Sequence, residues 1–169
     1  MKLLKVYVAG KVRKDSVFGT HYWREEFCET LEKLSGRKII NIDPTKSGIS
    51  QTDPELVFGS DASMIKEADV FIVYLTDDIS VGASQEILIA RYFAKPVIGL
   101  APKGGKFNGA TKEYFGRVIK NYKDPFVFTT CDIVCADIEE VAKTLKTVEK
   151  IKPKNIKMID DMISLYKNR

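Results

Sequence analysis

The stretch Asp77-Asp78-Ile79-Ser80-Val81-Gly82-Ala83-Ser84-Gln85-Glu86 concentrates side chains that could do chemistry. It reads as a loop running into a helix. Gly82 lets a backbone come close to a ligand, and the first free N–H groups and the dipole of the helix favour an anion. Ser80 adds a hydroxyl at the same point. Glu86 lies about one turn inside the helix, which also turns Ile87 and Ala90 toward the core. A carboxylate so placed can act as a nucleophile or exchange a proton. Taken alone, it also reads as a solvated glutamate that the helix dipole welcomes.

Two further groups of residues share this character. Tyr7 and Gly10 close a buried strand, and Lys11 and Arg13 follow it with two positive charges that could hold a phosphate. Asp61 lies on a helix, where it could be solvated or paired with Lys66. By itself Tyr7 reads as a core aromatic. His21, the single histidine, and Trp23 read as packing or rim residues. Cys28, Cys131 and Cys135 lack the spacing of a metal site or a disulfide framework and read as buried or half-buried thiols in a reducing compartment.

These residues need a scaffold, and 169 residues suit one domain with its own core. Short apolar runs at residues 3–9, 38–42, 70–75, 97–101 and 125–129 read as strands. Helical spacing marks 22–34, 54–68, 82–94, 111–121, 138–148 and 151–169, with Ile87, Leu88, Ala90 and Phe93 of the third helix facing the core. Gly36 sits where a C-terminal cap belongs. This alternation predicts a doubly wound α/β fold, flavodoxin- or Rossmann-like, with a five-stranded parallel sheet and helices on both faces. Residues 1–150 form the domain, and 151–169 a basic helix packed on it or extending from it. Ligands bind such sheets beyond the carboxyl ends of the strands, where segments 10–18, 76–81 and 101–108 lie.

From Lys5 to about Pro102 the chain resembles the nucleoside 2-deoxyribosyltransferase family, which includes 2'-deoxynucleoside 5'-phosphate N-hydrolases and a ribonucleotide N-glycosidase branch. Val6-Tyr7-Val8-Ala9-Gly10 is similar to the family's opening strand. Asp61, with Met64-Ile65 and Ala68-Asp69-Val70, is similar to its acidic helix and central strand. Ser80-x-Gly82-x-x-x-Glu86, with Ala90 and Lys95-Pro96-Val97, is similar to its nucleophile helix and next strand.

The resemblance implies that Glu86 attacks the anomeric carbon, that Tyr7 hydrogen-bonds and orients Glu86, and that Asp61 gives or takes a proton. The logic is that of a retaining glycosidase. Gly10, Lys11, Arg13, Ser80 and Gly82 are expected to meet the substrate, Lys11 and Arg13 by their charge. Family members acting on phosphorylated substrates tend to carry serine in the first glycine loop, where this chain has Lys11. Transferases acting on free nucleosides usually carry aspartate at the position of Ser80, which would repel a phosphate; the phosphate-acting branches carry serine there.

The expected activity is therefore cleavage of the N-glycosidic bond of 2'-deoxynucleoside 5'-monophosphates. The alternatives are base exchange between 2'-deoxynucleosides and a non-enzymatic nucleotide-binding domain on the same fold. A flavodoxin-like electron carrier is disfavoured, since the loops hold no aromatic flavin sandwich. No cofactor and no metal are implied. The net charge of +4 fits a small anionic ligand and does not call for nucleic acid. The first residues are too short in apolar run for a signal peptide or a membrane span, so a cytoplasmic protein is expected. The family's habit of completing sites across subunits implies a homo-oligomer, a dimer or larger.

Overall fold

The computed structural model describes residues 3–11, 23–75 and 78–169. Five parallel strands form the sheet: β1 (Leu4–Ala9), β2 (Ile39–Ile42), β3 (Val70–Tyr74), β4 (Val97–Leu100) and β7 (Ile133–Cys135), in the order β2-β1-β3-β4-β7. This is the doubly wound order in which the chain reverses direction across the sheet between β1 and β3. The run Val70-Phe71-Ile72-Val73 is buried throughout because helices cover both faces of the central strand.

Strand alternation sorts the core into two layers. Val6, Val8 and Ile72 face α1 (Trp23–Ser35) and α5 (Ile138–Leu145). Tyr7, Ala9, Phe71 and Val73 face the other way, toward α2 (Pro54–Glu67), α3 (Val81–Tyr92) and α4 (Pro125–Thr130). The helix starts are written locally. Asp53 caps α2, accepting from the Leu56 amide at 3.0 Å with Pro54 at the first helical position, and Asp137 caps α5. Gly36 takes φ +70° just past α1, the left-handed conformation expected of a terminating glycine.

Two expected elements are corrected. Residues 111–121 are not a helix but most of an antiparallel hairpin, β5 (Asn108–Tyr114) and β6 (Arg117–Lys123). Tyr114, Phe115, Val118 and Ile119 mimic helical spacing, but they and Thr111 are β-branched or aromatic residues that suit a strand. Phe115 and Gly116, at φ +50° and +74°, make a two-residue turn with both central φ values positive, the geometry that matches strand twist. Residues 125–129 are not a strand but α4. The Asp124 carboxylate accepts from the Phe126 and Val127 amides at 3.0 and 3.1 Å, and Pro125 opens the helix. The fifth sheet strand is β7. Leu88 is also corrected: it is exposed, because Ala83, Ile87 and Ala90 already occupy the inward stripe of α3.

A buried ion pair ties the chain's last segment to the sheet. Arg91 Nη1 donates to Asp132 Oδ2 at 2.7 Å, with the two side chains 0% and 5% exposed. Asp132 also accepts from the amides of Val97 and Lys154, and Lys154 Nζ donates to the carbonyls of Thr129 and Cys131. Beyond this knot lies α6 (Met158–Lys167). Replacing Asp132 with alanine strands the guanidinium in the core and is expected to cost about 3–5 kcal/mol. Chemical denaturation reads this as a lower midpoint; an unchanged midpoint would show that the pair carries no such cost.

Candidate active site

An open cavity of about 320 Å³ lies between α2 and α3 on the carboxyl side of β1, β2 and β3. Its walls include Gln51, Phe58, Asp61, Gly82, Gln85 and Glu86. A roomier cavity of about 640 Å³ lies among α3, α4 and α6, but its lining of Leu88, Phe126, Met158, Met162 and Tyr166 offers no acid or base for bond breaking. The smaller cavity is where the chemistry-bearing residues meet.

The spacing of Ser80, Gly82 and Glu86 builds one wall. Ser80 caps α3, its hydroxyl oxygen accepting from the Ala83 amide at 3.1 Å. Gly82 precedes Glu86 by four residues and so shares its helix face. A Cβ on Gly82 would lie 3.8 Å from Glu86 Oε1, so the glycine leaves the carboxylate uncovered toward the cavity. Asp61 faces it from α2. Burial pushes the Glu86 carboxyl up to about 7, and the Asp61 charge adds to the rise; Tyr7 and Arg24 oppose it. Burial also raises Asp61, with Arg24 opposing. Glu86 is thus held where a proton can be exchanged near neutral pH, and Asp61 holds its proton more tightly than an ordinary aspartate.

Tyr7 comes up from β1, stacked on Phe71 at 5.5 Å between ring centroids. Its phenol is buried, which raises its pKa first of all, and Glu86 and Asp61 push the same way. Glu86 is close enough for phenol and carboxylate to shift each other, yet the hydrogen bond expected between them is not completed: the Tyr7 hydroxyl has no partner among the described residues. Gly10 serves the packing of the site, since a Cβ there would meet the Trp23 ring at 3.0 Å.

Lys11 does not stand free for an anion. Its Nζ pairs with Asp78 Oδ2 at 2.8 Å, and Lys106 Nζ lies 3.9 Å from the same carboxylate's other oxygen. Lys11 and the Ile79 amide hold the Asp78 carboxyl below the usual carboxylate range. Arg13 and His21 lie outside the described residues. Cys28, Cys131 and Cys135 are buried free thiols distant in role from this chemistry.

The sequence reading missed Arg24 and Asp43. Arg24 is buried in the first turn of α1, its Nε donating to the Val8 carbonyl at 2.8 Å and its Nη2 to the Gly10 carbonyl at 2.7 Å. The signal was present: Arg24 falls in line with Phe27, Cys28 and Leu31, so a charge sits on an apolar stripe. Asp43, just past β2, is buried too, and its Oδ2 lacks a partner. Also missed were Gln51 and Phe58, although the segment after β2 ends at the same sheet edge as the three loops that were singled out.

No protein-family model matches the chain, and no curated protein does. Solved structures do. A 2-deoxyribosyltransferase from Bacillus psychrosaccharolyticus superposes with a TM-score of 0.53 at 19% identity, over 88% of this chain and 98% of the other. One from Leishmania mexicana gives 0.55 at 15% identity, over 85% and 98%. A CMP N-glycosidase from Clostridium botulinum gives 0.45 at 20% identity, over 83% and 97%, too loose a superposition to carry weight. At these identities the likeness speaks for architecture, and the chain has the fold of the 2-deoxyribosyltransferases.

Proposed function

We propose that this protein cleaves the N-glycosidic bond of 2'-deoxynucleoside 5'-monophosphates through an ester on Glu86. The observation that carries the reading is the meeting of Glu86 and Asp61 at one cavity, with the buried Tyr7 phenol close behind Glu86. A Glu86 carboxylate oxygen attacks the anomeric carbon as the carbon–nitrogen bond breaks, and the bond's electron pair leaves with the base. Asp61, its carboxyl raised by burial, supplies a proton to the departing base. Water then hydrolyses the ester and Asp61 recovers the proton. Buried placement and Tyr7 orient the nucleophile.

One observation favours the base-exchanging alternative on free nucleosides: Lys11, expected to meet a phosphate, is already paired with Asp78. Ser80 argues the other way. Aspartate caps a helix as well as serine does, so Ser80→Asp changes charge with little cost to α3. The test is to incubate the protein with nucleosides and their monophosphates, with and without a free acceptor base, and follow released or exchanged base by chromatography. Monophosphates are expected to show the higher kcat/KM, and Ser80→Asp to erase that preference. Free nucleosides reacting as well or better would overturn the phosphate reading and favour the transferase. Turnover of neither would leave a nucleotide-binding domain.

The working form proposed is a homo-oligomer, a dimer or larger. Its support is an apolar face on α3, α4 and α6, where Leu88, Phe126, Met162, Ile163 and Tyr166 are exposed, Phe126 and Tyr166 to 80%. Sedimentation velocity is expected to show a dimer or larger at micromolar concentration; a monomer throughout would count against it. No helix among the described residues is long and apolar enough to cross a membrane. The location proposed is the cytoplasm, whose reducing conditions suit three free thiols.

A further inference from the structure

We propose that Arg24 is a positioning residue of the Glu86 site, its guanidinium pinned to the end of β1 as the buried positive charge around which Tyr7, Asp61 and Glu86 are arranged. This rests on the reading of Glu86 as nucleophile and adds to it a residue that acts without touching substrate.

A guanidinium on the apolar stripe of a helix is costly to bury, and an aliphatic residue would pack there at no such cost. Anchorage explains only part of its presence. Nε and Nη2 donate to the Val8 and Gly10 carbonyls, and the Trp23 ring lies 4.7 Å from the guanidinium carbon. These contacts fix the group in one orientation at the sheet edge where the cavity opens. Nη1 has no hydrogen-bond partner, and no carboxylate among the described residues closes an ion pair on it. The charge is therefore not consumed locally.

It is shared instead at longer range. The ionisable groups that act on Arg24 come from several elements around it: Asp43 after β2, Tyr7 on β1, Glu86 on α3 and Asp61 on α2. For Tyr7, Asp61 and Glu86 alike, Arg24 is the cation that opposes the effect of burial. Two acids at one cavity repel each other's ionised form. A fixed cation set back from the cavity counters that repulsion without occupying the space a substrate needs. Asp43 is the balancing charge: its carboxylate helps to hold Arg24 cationic against desolvation.

The test follows the carboxyl carbon of Glu86 by NMR through a pH titration of the full-length protein labelled with 13C-glutamate, the resonance assigned with Glu86→Gln. Arg24→Gln keeps a donor for one β1 carbonyl and removes the charge. Its Glu86 midpoint is expected to rise by about 0.3 pH unit or more, about a twofold loss of carboxylate below that midpoint. Arg24→Lys restores a charge and is expected to bring the midpoint back toward wild type. Asp43→Asn, which can still cap Thr45, is expected to lower it. An unchanged Glu86 midpoint in folded Arg24→Gln overturns the proposal, since a merely structural Arg24 would leave it in place. If Arg24→Gln does not fold, an unchanged midpoint in Asp43→Asn overturns it. The titration needs no substrate, so failure of the base-release assay would sink the functional reading separately.

Discussion

Glu86→Gln is expected to leave a folded protein whose base-releasing activity is lower by on the order of 10⁴-fold or more. The substitution keeps the size of the side chain, its place four residues after Gly82 and its seat beside Tyr7. What it removes is the carboxylate oxygen that would bond to the anomeric carbon. An amide is a poor nucleophile, and the ester cannot form. Water attacking directly would need a base at the right place, and Asp61, protonated more readily than an ordinary aspartate, is better suited to the leaving group's side of the reaction. The prediction separates a nucleophile from a mere binding carboxylate. If Glu86 only held a sugar hydroxyl, the glutamine variant would lose one hydrogen bond and raise KM, with kcat nearly kept. A folded Glu86→Gln variant with kcat within tenfold of wild type would refute the covalent route.

How much of this site was legible before folding depends on how local each signal is. The Ser80-x-Gly82-x-x-x-Glu86 spacing is local: a cap, an uncovered face and a carboxylate one helical period apart can be read from a few residues. The buried run Val70 to Val73 is equally local, since a short, largely β-branched apolar run suits a central parallel strand. Arg24 is different. Its role depends on α1 docking so that its first turn meets the end of β1, which pairs residues 14 and 16 positions apart. Asp43 and the walls Gln51 and Phe58 likewise take their meaning from β2 lying beside β1. The hairpin was misread for another reason. Val118 and Ile119 follow Tyr114 and Phe115 by four residues, a period that a helix and a hairpin with a two-residue turn can both produce. The discriminating fact was Gly116 behind Phe115, both in left-handed conformations that a helix does not contain.

One proton on Glu86 is expected to move activity and stability in opposite directions. The nucleophile must be ionised, so kcat/KM should climb with pH through about 7, where burial and Asp61 have pushed this carboxyl. An ordinary glutamate would place that limb near 4.5. Stability runs the other way. A carboxyl raised in the folded state binds its proton more tightly there than in the unfolded chain. Its contribution is whole below about 4.5 and is lost as pH rises through about 7. At about 1.4 kcal/mol per pH unit, the displacement from 4.5 to about 7 costs the folded protein up to about 3 kcal/mol at pH 8. Glutamine at this position is neutral at every pH and escapes the cost. Glu86→Gln should therefore melt several degrees above wild type at pH 8 and close to it at pH 5. Asp61 and Tyr7 also titrate with raised values, but they are present in both proteins, so the difference between the two melting curves isolates Glu86 and its coupling to Asp61. Equal melting temperatures at pH 8 would mean that the carboxylate is comfortably solvated, and the case for a strained, poised nucleophile would fall with it.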